Sequence, residues 1–196
     1  MENFWSRYKR NHAAVFGLFV VVLIIVMAIT ASFLYPEDPF RLVGKPLSKP
    51  LTNGFLLGSA SLGRDVASGI VHGAKTSLLI GFVATLVSVF IGIFFGAFAG
   101  YFGGLIDDIL MRVTEIFHTI PSFIFAILLV AIMKPSMSSI VIAIAVVSWP
   151  GVARLVRGEF LAVKNREFVQ ACHTLGMSDL RIMLWESLPN CLSPII

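Results

Sequence analysis

The stretch Thr76–Ile106, TSLLIGFVATLVSVFIGIFFGAFAGYFGGLI, contains no Asp, Glu, Lys or Arg, and its reading decides the fold. A helix crosses a bilayer in roughly 17 to 25 consecutive apolar residues, and this run is long enough to do so. Within it Ala84, Ser88, Gly92, Gly96 and Gly100 recur every four residues, which sets five small side chains along one helical stripe. Helices in lipid associate largely through close backbone approach, and small residues at that spacing permit it. The stripe therefore predicts a buried helix–helix interface, with either another span of this chain or a second subunit as its partner. General glycine enrichment of membrane helices accounts poorly for five small residues in register.

Three further runs have the same character: Ala13–Pro36, Ile116–Met133 and Pro135–Ala153. Of the 196 residues 57% are hydrophobic and only 13% are charged, against about 25% charged in a soluble domain. Mean hydropathy is +0.90. These values predict an all-α integral membrane protein, a polytopic helical bundle with four spans at about 13–36, 76–102, 113–133 and 135–155. The first run is too long for a cleavable signal peptide, and no small-residue cleavage site precedes the polar stretch that follows.

Charge placement sets the orientation. Arg7, Lys9 and Arg10 cluster in the tail formed by residues 1–12, while Arg154, Arg157, Lys164 and Arg166 follow the fourth run. An even number of crossings puts both clusters on one side, which predicts a cytoplasmic N-terminus in the cell (inner) membrane. Arg41, Lys45, Lys49, Arg64 and Lys75 then lie outside, sparse over a long loop. Residues 37–75 read as that extracytoplasmic loop. Pro36–Gly58 is rich in turn formers, and Ala67, Ile70, Val71 and Ala74 suit an amphipathic helix on the outer face. The net charge of +4 is accounted for by topology, and nothing suggests nucleic-acid binding. The segment from Gly69 to Thr76 is no phosphate loop, because Ala74 separates Gly73 from Lys75 and no strand precedes it. Cys172 beside His173 is too sparse for a metal site, and no disulfide with Cys191 is expected on that side of the membrane.

Residues 167–190 are a polar helix–Gly–helix–Pro segment. Glu167–Leu175 predicts a short helix ended by Gly176 in the left-handed conformation. Ser178 then caps a second helix, with Asp179 in its first turn. Leu180, Met183, Leu184 and Leu188 fall on one helical face, and Pro189 breaks the run. Such an element outside the lipid either presents itself to a partner or merely connects two spans. At the start of the third span Asp107, Asp108, Arg112, Glu115 and His118 crowd together, with Arg112 within helical reach of Asp108 and Glu115. Their position at a membrane boundary favours interfacial solvation over a proton relay. Pro121 in span three and Trp149-Pro150-Gly151 in span four free backbone groups and are expected to bend their helices.

The chain resembles the inner-membrane permease subunits of ATP-binding-cassette importers, in particular the dipeptide, oligopeptide and nickel permease family. The resemblance runs over almost the whole length and is carried by Leu62-Gly63-Arg64-Asp65-Val66, Gly100-Tyr101-Phe102-Gly103-Gly104, Ser148-Trp149-Pro150-Gly151 with Ala153-Arg154, and residues 167–190. That last segment is similar to the family's "EAA" loop: Ala171, Gly176, Leu188 and Pro189 match at the required spacing. Gln170 replaces Glu, Cys172 replaces the second Ala, and Glu186 stands at the Ile position. The resemblance implies a type I importer transmembrane domain with its core in residues 76–196. It further implies a coupling loop carried by Glu167, Gln170, Ala171, Gly176, Ser178, Asp179, Leu188, Pro189 and Asn190. The implied partners are ATPase subunits, a homologous second permease, an extracytoplasmic solute-binding protein and membrane lipid. No cofactor is implied in this chain, since ATP and Mg²⁺ would sit on the partner ATPase, and the permease itself is not an enzyme. Family members continue through two more spans, so the sequence reads as truncated from six.

Two other function classes fit a polytopic membrane chain. An ion-coupled secondary transporter or channel would need coupling residues inside the spans, and only His118, near a boundary, is available. An intramembrane hydrolase would need a nucleophile and a base at bilayer depth, and Ser88 has no His or Asp partner there.

Overall fold

The computed structural model describes residues 8–52 and 54–192. It divides into two compact units, one up to Leu79 and the other from Ile80 onward. Among the described residues every regular element is helical, with isolated bridges only at Thr52–Phe55 and Ser59–Asp65.

In the first unit α1 (His12–Leu34) begins where the Asn11 side chain accepts the Ala14 N–H at 3.2 Å, an N-cap that satisfies one orphan donor. Only Ala28 and Ala31 are buried in α1, and its large apolar side chains face outward. An outward apolar surface on a charge-free helix suits lipid. The following loop is tied by its own backbone: Val43 and Gly44 both donate to the Gly63 carbonyl, and Ala60 donates to Arg64. Gly63 has φ +72°, and a Cβ there would strike the Gly44 carbonyl, so both conformation and space demand glycine. Asp65 Oδ1 accepts the Ala67 N–H at 2.9 Å, at the start of α2 (Val66–Phe102). The sequence predicts a separate interfacial helix before a span beginning near Thr76. Instead a single helix starts at Val66, because nothing between Ala67 and Thr76 interrupts helical hydrogen bonding. His72 Nε2 lies 2.9 Å from the Tyr35 carbonyl, and Lys75 donates to Ser32 Oγ at 3.1 Å.

In the second unit the remainder of α2 is followed by α3 (Gly104–Thr119), α4 (Ser122–Met133) and α5 (Met137–Lys164). The small-residue stripe packs onto α5. A Cβ added at Gly92 would lie 2.5 Å from Val152 Cβ; at Gly96 it would meet the Ala153 carbonyl and Val156; at Gly100 it would lie 2.6 Å from Phe160 Cβ. The stripe thus lets α2 and α5 touch backbone to side chain, with Ala84 and Ser88 also buried. Phe95 stands 4.7 Å from Trp149, whose other side meets Phe117 of α3 at 5.2 Å.

The third predicted span, 113–133, is not one helix. α3 and α4 meet at 83° across Ile120 and Pro121. Ile120 is extended because the proline ring disfavours the helical region for the residue before it. Three helices, α1, α2 and α5, are long and apolar enough to cross a membrane, and the bent α3–α4 pair makes a fourth if it counts as one crossing. α5 extends past the predicted end near 155 to Lys164 and carries Pro150 buried within it.

Candidate functional site: the segment seated on the ends of α2 and α5

Residues 167–190 fold back onto the ends of two long helices. α6 (Glu167–Thr174) carries Glu167 in its first turn, where a carboxylate suits the helix dipole. It closes with paired bonds: Gly176 N–H donates to His173 O at 3.0 Å and Met177 N–H donates to Cys172 O at 3.2 Å. Gly176 has φ +75°, the left-handed position this closure needs. Cys172 and Met177, the residues flanking the closure, are both packed against the core.

The chain then turns through Ser178 into α7 (Asp179–Arg181), widens into a π-helical turn over Ile182–Ser187, and tightens again in α8 (Leu188–Leu192). Three expectations are corrected here. Ser178 occupies the cap position, but its side chain makes no capping bond. Pro189 does not end the helix: the wide turn upstream, in which Leu188 N–H reaches back to Met183 O, accommodates a residue with no N–H of its own. The predicted apolar face is also split. Ile182 and Met183, which open the wide turn, and Ser187 and Cys191, which follow the extra residue, are buried, while Leu180 and Leu184 are exposed. Leu188 is half-buried against the core.

The buried set joins Ala97 and Tyr101 of α2, Val156, Phe160 and Val163 of α5, and Val169 of α6 in one core. Phe160 and Ile182 have no exposed surface. Burial and the nearby Glu159 push the Cys191 thiol up to about 11, so it stays protonated at neutral pH. At the rim Tyr101 Oη donates to Asp179 Oδ1 at 3.1 Å, and His173 Nε2 lies 3.4 Å from the same hydroxyl.

The outward side holds Glu167, Gln170, Ala171, Gly176, Ser178, Asp179, Pro189 and Asn190, all exposed. With them stand Leu175 and Trp185, the latter 74% exposed. The spacing of the sequence motif did not single out these two apolar groups, although a tryptophan in a polar segment is the sign that could have done so. Tyr101 stands in the sequence only as part of a glycine-rich motif, and its spacing points to no partner.

A second polar tie lies between α3 and α5. Arg157 Nε and Nη2 grip the Asp107 carboxylate at 2.5 and 2.6 Å, a bidentate pair in which Asp107 is largely buried. Arg112, expected to pair with Asp108 or Glu115, lies 3.8 Å from Glu115 in an exposed contact. Helical spacing within α3 points to local partners only, whereas the deciding partner comes from another helix. Arg154 Nη2 donates to His118 Nε2 at 2.6 Å, which leaves the ring proton on Nδ1.

Residues 92–196, which include most of the stripe, α3 to α5 and the seated segment, match the family described as binding-protein-dependent transport system inner membrane component. The chain belongs to that family. Residues 1–49 match the N-terminal TM domain of oligopeptide transport permease C. Over its whole length the chain is 41% identical to the dipeptide transport system permease protein DppC of Escherichia coli strain K12, covering 67% of that protein. It is 38% identical to the protein of the same name from Bacillus subtilis strain 168, of which it spans 61%. It is also 38% identical to the glutathione transport system permease protein GsiD of Shigella flexneri, covering 65% of it. The chain is thus a multi-pass inner-membrane protein of a family of transport permease subunits, and its seated segment occupies residues 167–190 of the matched region.

Proposed function

We propose that the chain is the permease subunit of an ATP-binding-cassette importer that passes peptides across the inner membrane, with residues 167–190 as the coupling segment that docks on a separate ATPase. The observation that carries this reading is the seating of that segment. Its inner face is welded to the ends of α2 and α5, while Leu175, Leu180, Leu184 and Trp185 stand outward beside polar side chains. Exposed tryptophan and leucine within a polar rim make the composition of a protein–protein contact. The dipeptide and glutathione permeases among its relatives support peptides as the substrate class.

The chemistry is mechanical. ATP and Mg²⁺ bind the partner, the segment follows the partner's closure, and the firm seat passes that displacement to α2 and α5. A second, homologous permease completes the pathway, and an external binding protein delivers the solute. The N-terminus is cytoplasmic, with the α3–α4 pair acting as one crossing, so that the basic clusters before α1 and after α5 share a side.

The test is uptake of a labelled dipeptide into vesicles carrying the assembled transporter and loaded with ATP. Wild type concentrates the dipeptide, and Gly176→Asp abolishes uptake and loses the co-purifying ATPase. Uptake and co-purification unchanged by that substitution would sink the docking assignment.

A further inference from the structure

The inner face of the coupling segment is mostly apolar, and among the described residues its one buried hydroxyl, Ser187 Oγ, has no hydrogen-bond partner. Apolar packing resists separation but permits sliding and tilting, because dispersion is not directional. A lever that must transmit a tilt needs a contact that fixes angle as well as distance. The rim supplies one, and the requirement for it rests on the coupling role proposed above.

Tyr101 lies in the last turn of α2, only 4% exposed, with its ring in the core beneath the segment. Its hydroxyl reaches the surface of that core and donates to Asp179 Oδ1 at 3.1 Å. His173 closes the group: Nε2 lies 3.4 Å from the tyrosine oxygen, Nδ1 lies 3.7 Å from the same Asp179 oxygen, and its ring stacks on that of Tyr101 with centroids 6.5 Å apart. Lys164, at the end of α5, holds its ammonium 6.0 Å from the Tyr101 ring. Tyr101 therefore touches both short helices of the segment, α6 through His173 and α7 through Asp179, at the Gly176 turn that joins them. It is the one hydroxyl of α2 that does so among the described residues.

We propose that Tyr101, His173 and Asp179 form a positioning joint that fixes the tilt of the coupling segment relative to the end of α2, so that motion of the segment reaches the spans instead of being lost as local flexing. The aromatic ring sets the depth of the seat and the hydroxyl sets its angle. Removing the hydroxyl leaves the seat filled but unlocked. On the outward surface that change reaches only Asp179, the partner of the hydroxyl, and leaves Leu175, Leu180, Leu184 and Trp185 in place.

Two measurements on the assembled transporter test the joint. The first is hydrogen exchange of the backbone across residues 172–182, read without nucleotide. Tyr101→Phe and Asp179→Ala should each speed exchange there, while Asp179→Asn, which keeps an acceptor oxygen for Tyr101, should leave it near wild type. The second is dipeptide taken up per ATP hydrolysed. A charge-assisted hydrogen bond of this kind, half exposed, corresponds to roughly a three- to tenfold change. Tyr101→Phe should lower the ratio by that factor with the ATPase still co-purifying, and the double variant Tyr101→Phe/Asp179→Ala should be no worse than the poorer single.

Unchanged exchange in Tyr101→Phe overturns the joint itself. Faster exchange with an unchanged transport ratio shows that the joint exists but transmits nothing, and overturns the proposal on that count. Loss of the docking role would show separately, as a wild-type complex that carries no ATPase.

Discussion

The α2–α5 groove and the seat of residues 167–190 are both buried contacts on the same two helices, yet they are built in opposite ways. In the groove, Gly92, Gly96 and Gly100 admit Val152, Val156 and Phe160 to direct contact with helix backbone, and no side-chain hydrogen bond crosses between those residues. In the seat, large side chains such as Phe160, Ile182 and Met183 fill the space, and the rim is closed by Tyr101, His173 and Asp179. The difference follows from the surroundings. Where lipid already satisfies apolar groups, helices gain most by close approach. Where water reaches the rim, apolar burial gains free energy by itself and polar groups can supply angle. The groove is held by close approach alone, and the seat by bulky side chains with a polar rim.

The hardest test of the groove is Gly96→Leu. A Cβ alone would approach Val156 Cβ to 2.7 Å and collide with the Ala153 carbonyl, so the larger side chain must force the helices apart. The expected loss is about 3 kcal/mol, at the upper end of overpacking penalties. It reads as a lowered Tm in detergent and a broadened sizing-column peak. A variant with wild-type Tm would show the groove to be loose and would remove the contrast with the seat.

Next in size is Arg157→Met. Arg157 backs onto Gly100 through its backbone while its guanidinium holds Asp107, so it belongs to the groove and to the tie with α3 at once. Removing the charge leaves Asp107 largely buried without its partner. About 2 kcal/mol should be lost, below the range for fully buried pairs because a third of the Arg157 side chain is exposed. The double replacement Asp107→Ala/Arg157→Met should recover most of that loss in the same melt. If the double variant is as unstable as the single, the pair is not what holds α3 to α5.

Within the seat, Gly176→Ala separates backbone strain from crowding. Among the described residues, its chain neighbours aside, no atom lies within 4 Å of the position a Cβ would take, so the left-handed φ of +75° is what opposes the substitution. The cost should be about 1 kcal/mol. It should appear as faster hydrogen exchange of α6 with the Tm of the whole chain nearly unmoved. A fall in Tm as large as that of Gly96→Leu would mean that the seat and the groove unfold as one unit.

How far these regions could be read in the sequence follows from their construction. The groove was legible because a period of four in small residues survives any detail of packing, and the long charge-free runs located α1, α2 and α5 to within a few turns. The break at Ile120–Pro121 was legible as a bend but not as an 83° turn, since sequence tells where helical bonding fails and not which way the chain leaves. In the seat, the Gly176 closure depends on a local residue preference and could be read. The buried face could not, because one wide turn at Ile182–Ser187 shifts every later side chain around the helix. Tyr101 and Arg157 were hidden for a different reason: their partners lie 78 and 50 residues away, beyond any spacing rule.

The two smallest effects expected belong to Ser187, in that wide turn, and to Ser178, which precedes it. Ser187 is fully buried, and its Oγ has no hydrogen-bond partner among the described residues. In a regular helix a serine hydroxyl can bond the carbonyl four residues back. Here the wide turn gives the Met183 carbonyl to the Leu188 N–H instead. An unpaired buried hydroxyl opposes the seat, so Ser187→Ala should stabilise it by up to about 1 kcal/mol, with almost no cavity left behind. Ser178→Ala, by contrast, removes a hydroxyl that caps nothing and should change stability by less than about 0.5 kcal/mol. Slower hydrogen exchange across 182–188 in the first variant and none in the second would confirm that the turn, and not the cap, sets the fit of the segment. A destabilised Ser187→Ala would instead mean that the hydroxyl finds a partner when the segment moves, and the seat would then be two-positioned rather than rigid.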